Sequence, residues 1–394
     1  MEIFSFDFVP YKANLAGRLG YPVGRKHYVR EVAAETYHDH VEQFQLCEAV
    51  GFDGISLNEH HGSPYGLDNS PNVFLAYIAA KTERMKLTML GNLLPIHGHP
   101  LRVAEELAML DTITRGRLIA GFVRGIPREP LVYSVPIHET RTRFNEAIEV
   151  ILGAWTQDLF SHEGPHYHYD SVDMWPRPYQ RPHPPVWVGS ISEESTRWIA
   201  RNPALQIAVN FLPTPQVQRQ LGIFREEAAR VGRVISDADI IYGRHVFVAE
   251  TQAEAERIAR PHVEYYFQNL LHEINSAALG KLQKLNPEID FDKVKPPFDY
   301  GTSTLDNLKE RGLLLVGTPD SVFQDLMEQY ETVGGFGTLL AMIRMGAMPQ
   351  EVALRSIRLI GEELIPKLHA VKHNRLSQSP DGAAALVAAS GSAT

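Results

Sequence analysis

Residues 52–57 (FDGISL), 85–94 (MKLTMLGNLL) and 117–123 (RLIAGFV) are three apolar runs with the length and residue types of buried β-strands. The segment between the second and third runs carries apolar residues at helical spacing, namely Val103, Leu107, Leu110 and Ile113. This spacing predicts an amphipathic helix that ends near Gly116. Strands that alternate with helices indicate a parallel sheet with its working residues at the C-terminal strand ends.

Each of the three runs is followed by polar residues. His60 and His61 follow the first run, Asn92 interrupts the end of the second, and Arg124 follows the third. Because parallel strands end at one rim, we expect these side chains on the same face of the molecule. Successive side chains of an extended segment point to opposite sides, so at most one of the two histidines can enter the centre.

The rest of the chain continues the alternation. Eight strands can be counted, each followed by helical sequence, which predicts an α/β fold, a (β/α)8 TIM barrel with loop insertions. A doubly wound open sheet is the alternative, but the Gly-rich dinucleotide fingerprint is missing after the first strand. We predict one domain over residues 1–373, insertions near 10–35, 156–184 and 280–310, and a disordered tail over 374–394. The first insertion is a candidate substrate cover, and the second reads as a hairpin with a Pro-rich return.

Composition excludes several classes of protein. The chain has 394 residues, a formal net charge of −9 and 44% hydrophobic residues. No basic patch for nucleic acid or an anionic membrane is visible, and no apolar run approaches the roughly 20 residues that span a bilayer. The N-terminus lacks the basic region of a signal peptide. A cytoplasmic protein is therefore expected.

A set of ordered motifs extends over roughly residues 1–370: EHH at 59–61, PLRVAEE at 100–106, RGR at 115–117, RG at 124–125, WPRP at 175–178, PPVWVGS at 184–190 and VGTP at 316–319. In this order and spacing the chain resembles the bacterial-luciferase-like flavin monooxygenases. The resemblance implies a TIM barrel that binds reduced FMN and reacts it with O2 to a C4a-(hydro)peroxyflavin, which oxygenates a small organic substrate. A separate NAD(P)H:flavin reductase would supply the reduced FMN, and no nicotinamide motif is visible in this chain.

The resemblance also implies site residues. It assigns a catalytic role to His60, with His61 supporting the neighbouring loop, and a place behind the flavin ring to Gly91 and Asn92, whose peptide bond would be cis. Val123 stands where luciferases proper have a cysteine, which puts a light-emitting reaction in doubt.

Phosphate binding can be argued from the residues themselves. Ser190, Ser192 and Ser195 lie where the fifth strand turns into a helix, whose N-terminus favours an anion, and Arg124 can add a charge-assisted hydrogen bond. A helix cap is the simpler role for Ser192 alone. The resemblance favours the phosphate, because the family places it against the residues that match Arg124 and Ser192.

Metal catalysis is the main rival for a chain with 17 histidines. His97 and His99, and likewise His166 and His168, could place two imidazoles on one side of an extended segment. The first pair follows the third strand, whereas a metal-dependent hydrolase barrel would need such a pair on the first. We therefore predict no metal.

Other readings of the flavin chemistry stay open. Part of the same superfamily transfers hydride with coenzyme F420, and a non-catalytic flavin-binding protein is a third possibility. Members of the family commonly form homodimers through the early helices, and apolar residues of this region would permit it here: Phe74, Ile78, Ala104, Leu107 and Ala108. Burial in the wall of the same barrel explains these residues equally well.

Overall fold

A computed structural model describes residues 1–126, 128–286 and 298–372 of the chain. Its strands are β1 (Glu2–Phe6), β2 (Gly54–Leu57), β3 (Lys86–Met89), β4 (Asn92–Leu93), β5 (Leu118–Val123), β6 (Phe160–Glu163), β7 (His168–Val172), β8 (Val186–Gly189), β9 (Leu205–Asn210), β10 (Ile240–Val248), β11 (Leu314–Gly317) and β12 (Thr338–Met342).

The helices are α1 (Arg30–Ala49), α2 (Pro71–Ala79), α3 (Pro100–Thr114), α4 (Arg128–Val132), α5 (Thr140–Thr156), α6 (Glu193–Arg201), α7 (Thr214–Arg230), α8 (Gln252–Tyr265), α9 (Ile274–Leu285), α10 (Leu305–Glu310), α11 (Pro319–Val333), α12 (Gln350–Leu359) and α13 (Ile365–Ala370). A π-helical segment, Tyr266–Glu273, joins α8 to α9, and a second, Ile360–Leu364, joins α12 to α13.

Eight parallel strands close into a barrel. The ring runs β1–β2–β3–β5–β8–β9–β10–β12 and returns to β1, so the predicted (β/α)8 TIM barrel is confirmed. Two short strands lie beside the ring: β4 pairs with β5, and β11 pairs with the second half of β10. The C-terminal ends of the ring strands therefore form one rim, and the loops that follow them carry the candidate site.

The barrel is apolar on both sides, which explains the continuous hydrophobic runs in the sequence. Inside the barrel, the rings of Phe4 and Trp187 lie 5.1 Å apart, between centroids. Outside it, the strands pack against the surrounding helices through residues such as Ile55, Leu87 and Val188. All nine residues of β10 are buried.

The elements differ from prediction in a few places. The run predicted over 85–94 is broken into β3 and β4, because the chain turns at a cis peptide bond between Leu90 and Gly91. Helix α1 starts at Arg30, six residues earlier than predicted, which shortens the first inserted loop. The predicted hairpin within 156–184 is the antiparallel pair β6–β7. Part of the insertion near 280–310 and the tail over 374–394 lie outside the described residues.

The apolar residues considered for a dimer interface are buried within this chain. Ala104, Leu107 and Ala108 of α3, and Phe74 and Ile78 of α2, belong to the core. They therefore fill the wall of their own barrel and are not themselves available to contact a second copy. Across the described ranges, no helix combines the length and hydropathy needed to cross a bilayer.

Candidate active site at the C-terminal rim of the barrel

His60 lies in the loop after β2, at the rim of the barrel. Its ring is in contact with aromatic side chains, with centroids 4.6 Å from Tyr65 and 5.2 Å from Phe8, and the residue is only 9% exposed. Its Nδ1 lies 2.9 Å from Oε1 of Glu129 in α4. Within the described residues, Nε2 of His60 has no hydrogen-bond partner.

The carboxylate of Glu129 is completely buried and held from three sides. Its Oε1 also accepts a hydrogen bond from Arg128 at 2.8 Å, and its Oε2 accepts one from the backbone N–H of His61 at 3.1 Å. Burial opposes ionisation, but His60 and Arg128 hold the pKa of Glu129 below its usual value. Burial lowers the pKa of His60 against the opposing effect of Glu129. The pair is therefore a carboxylate and a neutral imidazole at pH 7.

A second buried carboxylate, Glu59, connects this loop to β4. It accepts hydrogen bonds from Nε2 of His61 at 2.9 Å and from the backbone N–H of Leu93 at 2.7 Å, and its Oε2 lies 3.3 Å from Nε2 of His97. Burial opposes its ionisation, yet the hydrogen bonds from His61 and His97 lower the pKa of Glu59 to about 2. Although burial opposes protonation of His97, Glu59 raises the pKa of that imidazole.

The histidine pairs considered as metal ligands are used in other contacts. His97 lies against Glu59, and His166 lies against Thr142 on the outside of α5. In the part of the chain that the structure describes, no group of three or more His, Cys, Asp or Glu side chains is arranged to hold a metal ion.

Gly91 and Asn92 line the rim between β3 and β5. A Cβ on Gly91 would lie 2.6 Å from the backbone of Gly121, so only glycine fits there. The cis bond precedes Gly91 and does not follow it, so the resemblance placed it one residue too late. Asn92 is 1% exposed; its amide nitrogen lies 3.5 Å from the carbonyl oxygen of Gly121, and its Oδ1 has no partner among the described residues.

Two arginines and two serines form a cationic cradle at the start of α6. The guanidinium of Arg141 donates to Oγ of Ser192 at 3.1 Å and to Oγ of Ser195. Arg124 comes from the end of β5, and it makes no hydrogen bond or ion pair to any described residue. Burial and the nearby charge of Arg141 lower the pKa of Arg124. The two guanidinium groups, of which Arg141 also pairs with the exposed Glu194 at 3.5 Å, lie beside hydroxyls and a helix N-terminus and form a site for an anion with several oxygens.

A cavity of about 350 Å³ lies beside this rim. It lies between the loop after β1 and the loop that follows His60 and His61, and it is open to solvent on one side. Its lining is mainly aromatic and apolar, with few polar groups: Tyr11, Leu15, Val23, Gly24, Arg25, His27, Tyr28, Gly62, Ser63, Pro64, Leu67 and Asn69. The inserted loop predicted as a substrate cover is thus one wall of a cavity large enough for a small organic molecule.

The family follows from a match over most of the chain. Residues 18–335 match the model of the luciferase-like monooxygenase family. The chain belongs to this family.

Luciferase-like monooxygenases with assigned reactions are among its relatives. The chain is 26% identical over 263 residues to the oxygenase component of a flavin-dependent trigonelline monooxygenase from Acinetobacter baylyi, covering 64% of this chain and 72% of that protein. It is 30% identical over 339 residues to the uncharacterised protein y4wF of Sinorhizobium fredii, covering 85% and 93%. The crystal structure of monooxygenase RslO1 from Streptomyces bottropensis has a TM-score of 0.75 at 27% identity, covering 93% of this chain and 99% of that one.

Structures with lower sequence identity share the fold. The FMN complex of the oxygenating constituent of 3,6-diketocamphane monooxygenase from Pseudomonas putida has a TM-score of 0.72 at 20% identity and covers 93% of this chain and 98% of its own. The coenzyme F420-dependent tetrahydromethanopterin reductase from Methanopyrus kandleri has a TM-score of 0.62 at 19% identity, with coverage of 84% and 96%. The fold therefore accommodates either cofactor.

The site residues predicted from the sequence all lie at this rim, but they do not form one contact group. Arg124 and Ser192 are at the cradle, whereas His60, Gly91 and Asn92 are on the neighbouring strand ends. Ser190 is close to the cradle in sequence but is 3% exposed, and its hydroxyl contacts Oγ1 of Thr196 at 2.9 Å.

Three side chains of the site were not predicted. Arg141 lies 17 residues after Arg124, inside an amphipathic helix, where an arginine on the polar face is ordinary. Glu129 and Arg128 follow a proline-containing loop with no local pattern. The one available signal was the sequence Arg128-Glu129, an adjacent pair of opposite charges near a strand end.

Proposed function

We propose that this chain is the oxygenase component of a two-component, FMN-dependent monooxygenase that uses O2 to oxygenate a small organic substrate. A separate NAD(P)H:flavin reductase would deliver the reduced FMN. The observation that carries the proposal is the cationic cradle of Arg124, Arg141, Ser192 and Ser195, which lies on the same barrel rim as His60.

The donor set fits the phosphate of FMN. Two guanidinium groups and two hydroxyls at the N-terminus of α6 match a dianionic group with three free oxygens. Arg124 is partly buried and has no acceptor among the described residues, so its guanidinium can bind an anion. The buried and unpartnered Oδ1 of Asn92 is a further acceptor at the neighbouring strand end.

Bound reduced FMN would supply the electrons and the oxygen-reactive ring for activation of O2. The chain itself would do the rest. The cradle would fix the phosphate, and Gly91 would allow close approach at the end of β3. His60 would accept and return a proton at Nε2, and the cavity beside the loop after β1 would hold the substrate away from water. The relative described as an oxygenase component supports the two-component arrangement.

The decisive experiment is a binding and reaction series with the purified protein. Anaerobically reduced FMN and, separately, reduced F420 are titrated into wild type, Arg124→Ala and His60→Ala, and each complex is then mixed with O2. We expect wild type to bind reduced FMN, Arg124→Ala to bind it weakly, and His60→Ala to bind it normally but react slowly.

Three outcomes would contradict the proposal. Binding of F420 alone, without reaction with O2, would point to hydride transfer. Binding of FMN without turnover on a broad substrate panel would point to a flavin-binding protein. Normal turnover by His60→Ala would remove the role given to that residue.

We also propose a homodimer that uses the outer faces of α2 and α3. Four apolar side chains remain exposed there, namely Val73, Tyr77, Met109 and Ile113, beside polar residues such as Arg102 and Thr112. Exposed apolar side chains repeated on two neighbouring helices are typical of an interface between proteins.

A further inference from the structure

We propose that Glu129 is a positioning residue, which fixes the tautomer and ring orientation of His60 and thereby leaves Nε2 as the proton-accepting atom at the rim. The inference rests on the proposed function only for the use of that proton. The arrangement of the two side chains can be tested without any cofactor or substrate.

The contacts of the Glu129 carboxylate fix the orientation of the His60 ring. Oε1 of Glu129 faces Nδ1 of His60 at 2.9 Å, while the same carboxylate is anchored by Arg128 at 2.8 Å and by the N–H of His61 at 3.1 Å. A carboxylate held at three points cannot rotate away. The imidazole therefore has one favoured orientation, which the rings of Phe8 and Tyr65 also support.

The charges around Glu129 decide which nitrogen of His60 carries the proton. Glu129 is completely buried, and Arg128, itself 2% exposed, supplies the opposite charge. Because Arg128 donates to the same oxygen that faces His60, it makes that oxygen a poorer base. The proton therefore stays on Nδ1, which donates to the carboxylate. The lone pair of the neutral imidazole is then on Nε2.

The groups that face His60 are few, so its titration has identifiable causes. Glu129 and Arg128 come from α4, and His61 comes from its own segment. The aromatic neighbours Phe8 and Tyr65 carry no charge near neutral pH, and Asp68 and Asn69 hydrogen-bond to the backbone of His60 through a carbonyl oxygen and a side-chain amide, respectively. When Nε2 takes a proton from an O–H or N–H group of a bound reactant, the imidazolium formed lies against the Glu129 carboxylate. Nε2 later gives this proton to a basic oxygen or nitrogen of the product, which restores the neutral imidazole.

The adjacent histidine, His61, differs from His60 in the contacts of its ring nitrogens. His61 also has a buried carboxylate partner, Glu59 at 2.9 Å, but its other ring nitrogen, Nδ1, is bonded to the hydroxyl of Tyr133 at 3.1 Å. Both of its nitrogens are occupied. Of the two adjacent histidines, His60 is therefore the one with a nitrogen free for proton transfer, counting contacts to the described residues.

The test is nitrogen NMR of the histidine rings in the cofactor-free protein, with His60→Gln to assign the signal. We expect His60 of wild type to show the Nδ1–H tautomer at pH 7. In Glu129→Gln the fixed tautomer should be lost and the pKa of His60 should fall, because the carboxylate raises it. Glu129→Asp should retain part of the wild-type behaviour. Tyr133→Phe is the matched control, because it removes a hydrogen bond from His61 and should leave His60 unchanged.

A kinetic experiment measures how the loss of the Glu129 carboxylate affects the reaction with O2. Protein loaded with reduced FMN is mixed with O2 over a range of pH, and the rate of hydrogen peroxide release is recorded. Glu129→Gln should lower this rate about 100-fold at an unchanged dissociation constant for reduced FMN. Glu129→Asp should restore part of the rate.

The NMR experiment and the kinetic experiment test the positioning role and the proposed function separately. An unchanged His60 tautomer and pKa in a folded Glu129→Gln variant would overturn the positioning role. Normal ring behaviour, together with a wild-type protein that does not bind reduced FMN or react with O2, would overturn the proposed function and leave the Glu129–His60 pair intact.

Discussion

Two serines at the start of α6 have similar sequence contexts but different contacts. The hydroxyl of Ser192 faces Arg141, whereas that of Ser190 faces Thr196. We expect Ser192→Ala and Arg141→Ala to weaken binding of reduced FMN, the arginine change by about 1.5–3 kcal/mol, or roughly 10- to 100-fold, since a charge-assisted hydrogen bond is lost. Ser190→Ala should leave the affinity within twofold. Isothermal titration calorimetry under anaerobic conditions measures the affinity of all three variants for reduced FMN. An equal loss of affinity in Ser190→Ala and Ser192→Ala would place Ser190 in the site.

Glu59 makes stability depend on pH. Its pKa is about 2 in the folded protein and near the ordinary 4.5 when unfolded, so its contribution is present above pH 4.5 and is lost as the pH falls toward 2. The shift corresponds to about 3 kcal/mol. We expect Glu59→Gln to lower the free energy of unfolding by about that amount at pH 7, with the difference from wild type narrowing below pH 4.5. Urea unfolding at several pH values measures it, and a difference independent of pH would contradict the assignment.

At the scale of elements, the barrel depends on the close approach of β5 to the chain after β3. A Cβ on Gly121 would lie 1.8 Å from the carbonyl oxygen of Met89, which is backbone and cannot move aside. Gly121→Ala should therefore destabilise the fold by several kcal/mol, of the order of 3 or more, as overpacking of a core does at its upper range.

Gly222 is the matched control for that change. It lies inside α7, with nothing within 4 Å of the position its Cβ would take. Gly222→Ala should stabilise the protein by about 0.5–1 kcal/mol, because alanine loses less backbone entropy in a helix. Thermal unfolding measures the melting temperatures of both variants. Similar values for Gly121→Ala and Gly222→Ala would contradict the close contact between Gly121 and the backbone of Met89.

The strands that the sequence predicts best are those with a continuous apolar run. The eight ring strands could be located because both of their faces are buried, which gives continuous apolar runs. The break at Leu90–Gly91 and the early start of α1 could not be located from the sequence, since both depend on tertiary contacts. At the site, residues at strand ends were predictable from the barrel rule. Arg141 and Glu129 could not be predicted, because each lies on a helix whose surrounding sequence resembles that of an ordinary surface helix.

The exposed apolar side chains on the outer faces of α2 and α3 support the proposal that the protein forms a homodimer through these two helices. Val73 and Tyr77 are one turn apart on α2, and Met109 and Ile113 are one turn apart on α3, so each helix presents an apolar pair to solvent. Val73 is 69% exposed and Ile113 is 64% exposed. Side chains of this kind lose contact with water when a second copy packs on them, at about 25 cal/mol for each Å² of apolar surface.

This face can be tested with a single charge. Ile113→Glu would bury an unpaired carboxylate in the proposed interface, which costs more than the apolar contact contributes, so the dimer should dissociate. Light scattering after size exclusion should give twice 44.2 kDa for wild type and 44.2 kDa for the variant. Val234→Glu is the control, since Val234 is also 70% exposed but lies after α7, away from this face. If Val234→Glu dissociates the dimer and Ile113→Glu does not, the interface lies on the α7 side of the barrel.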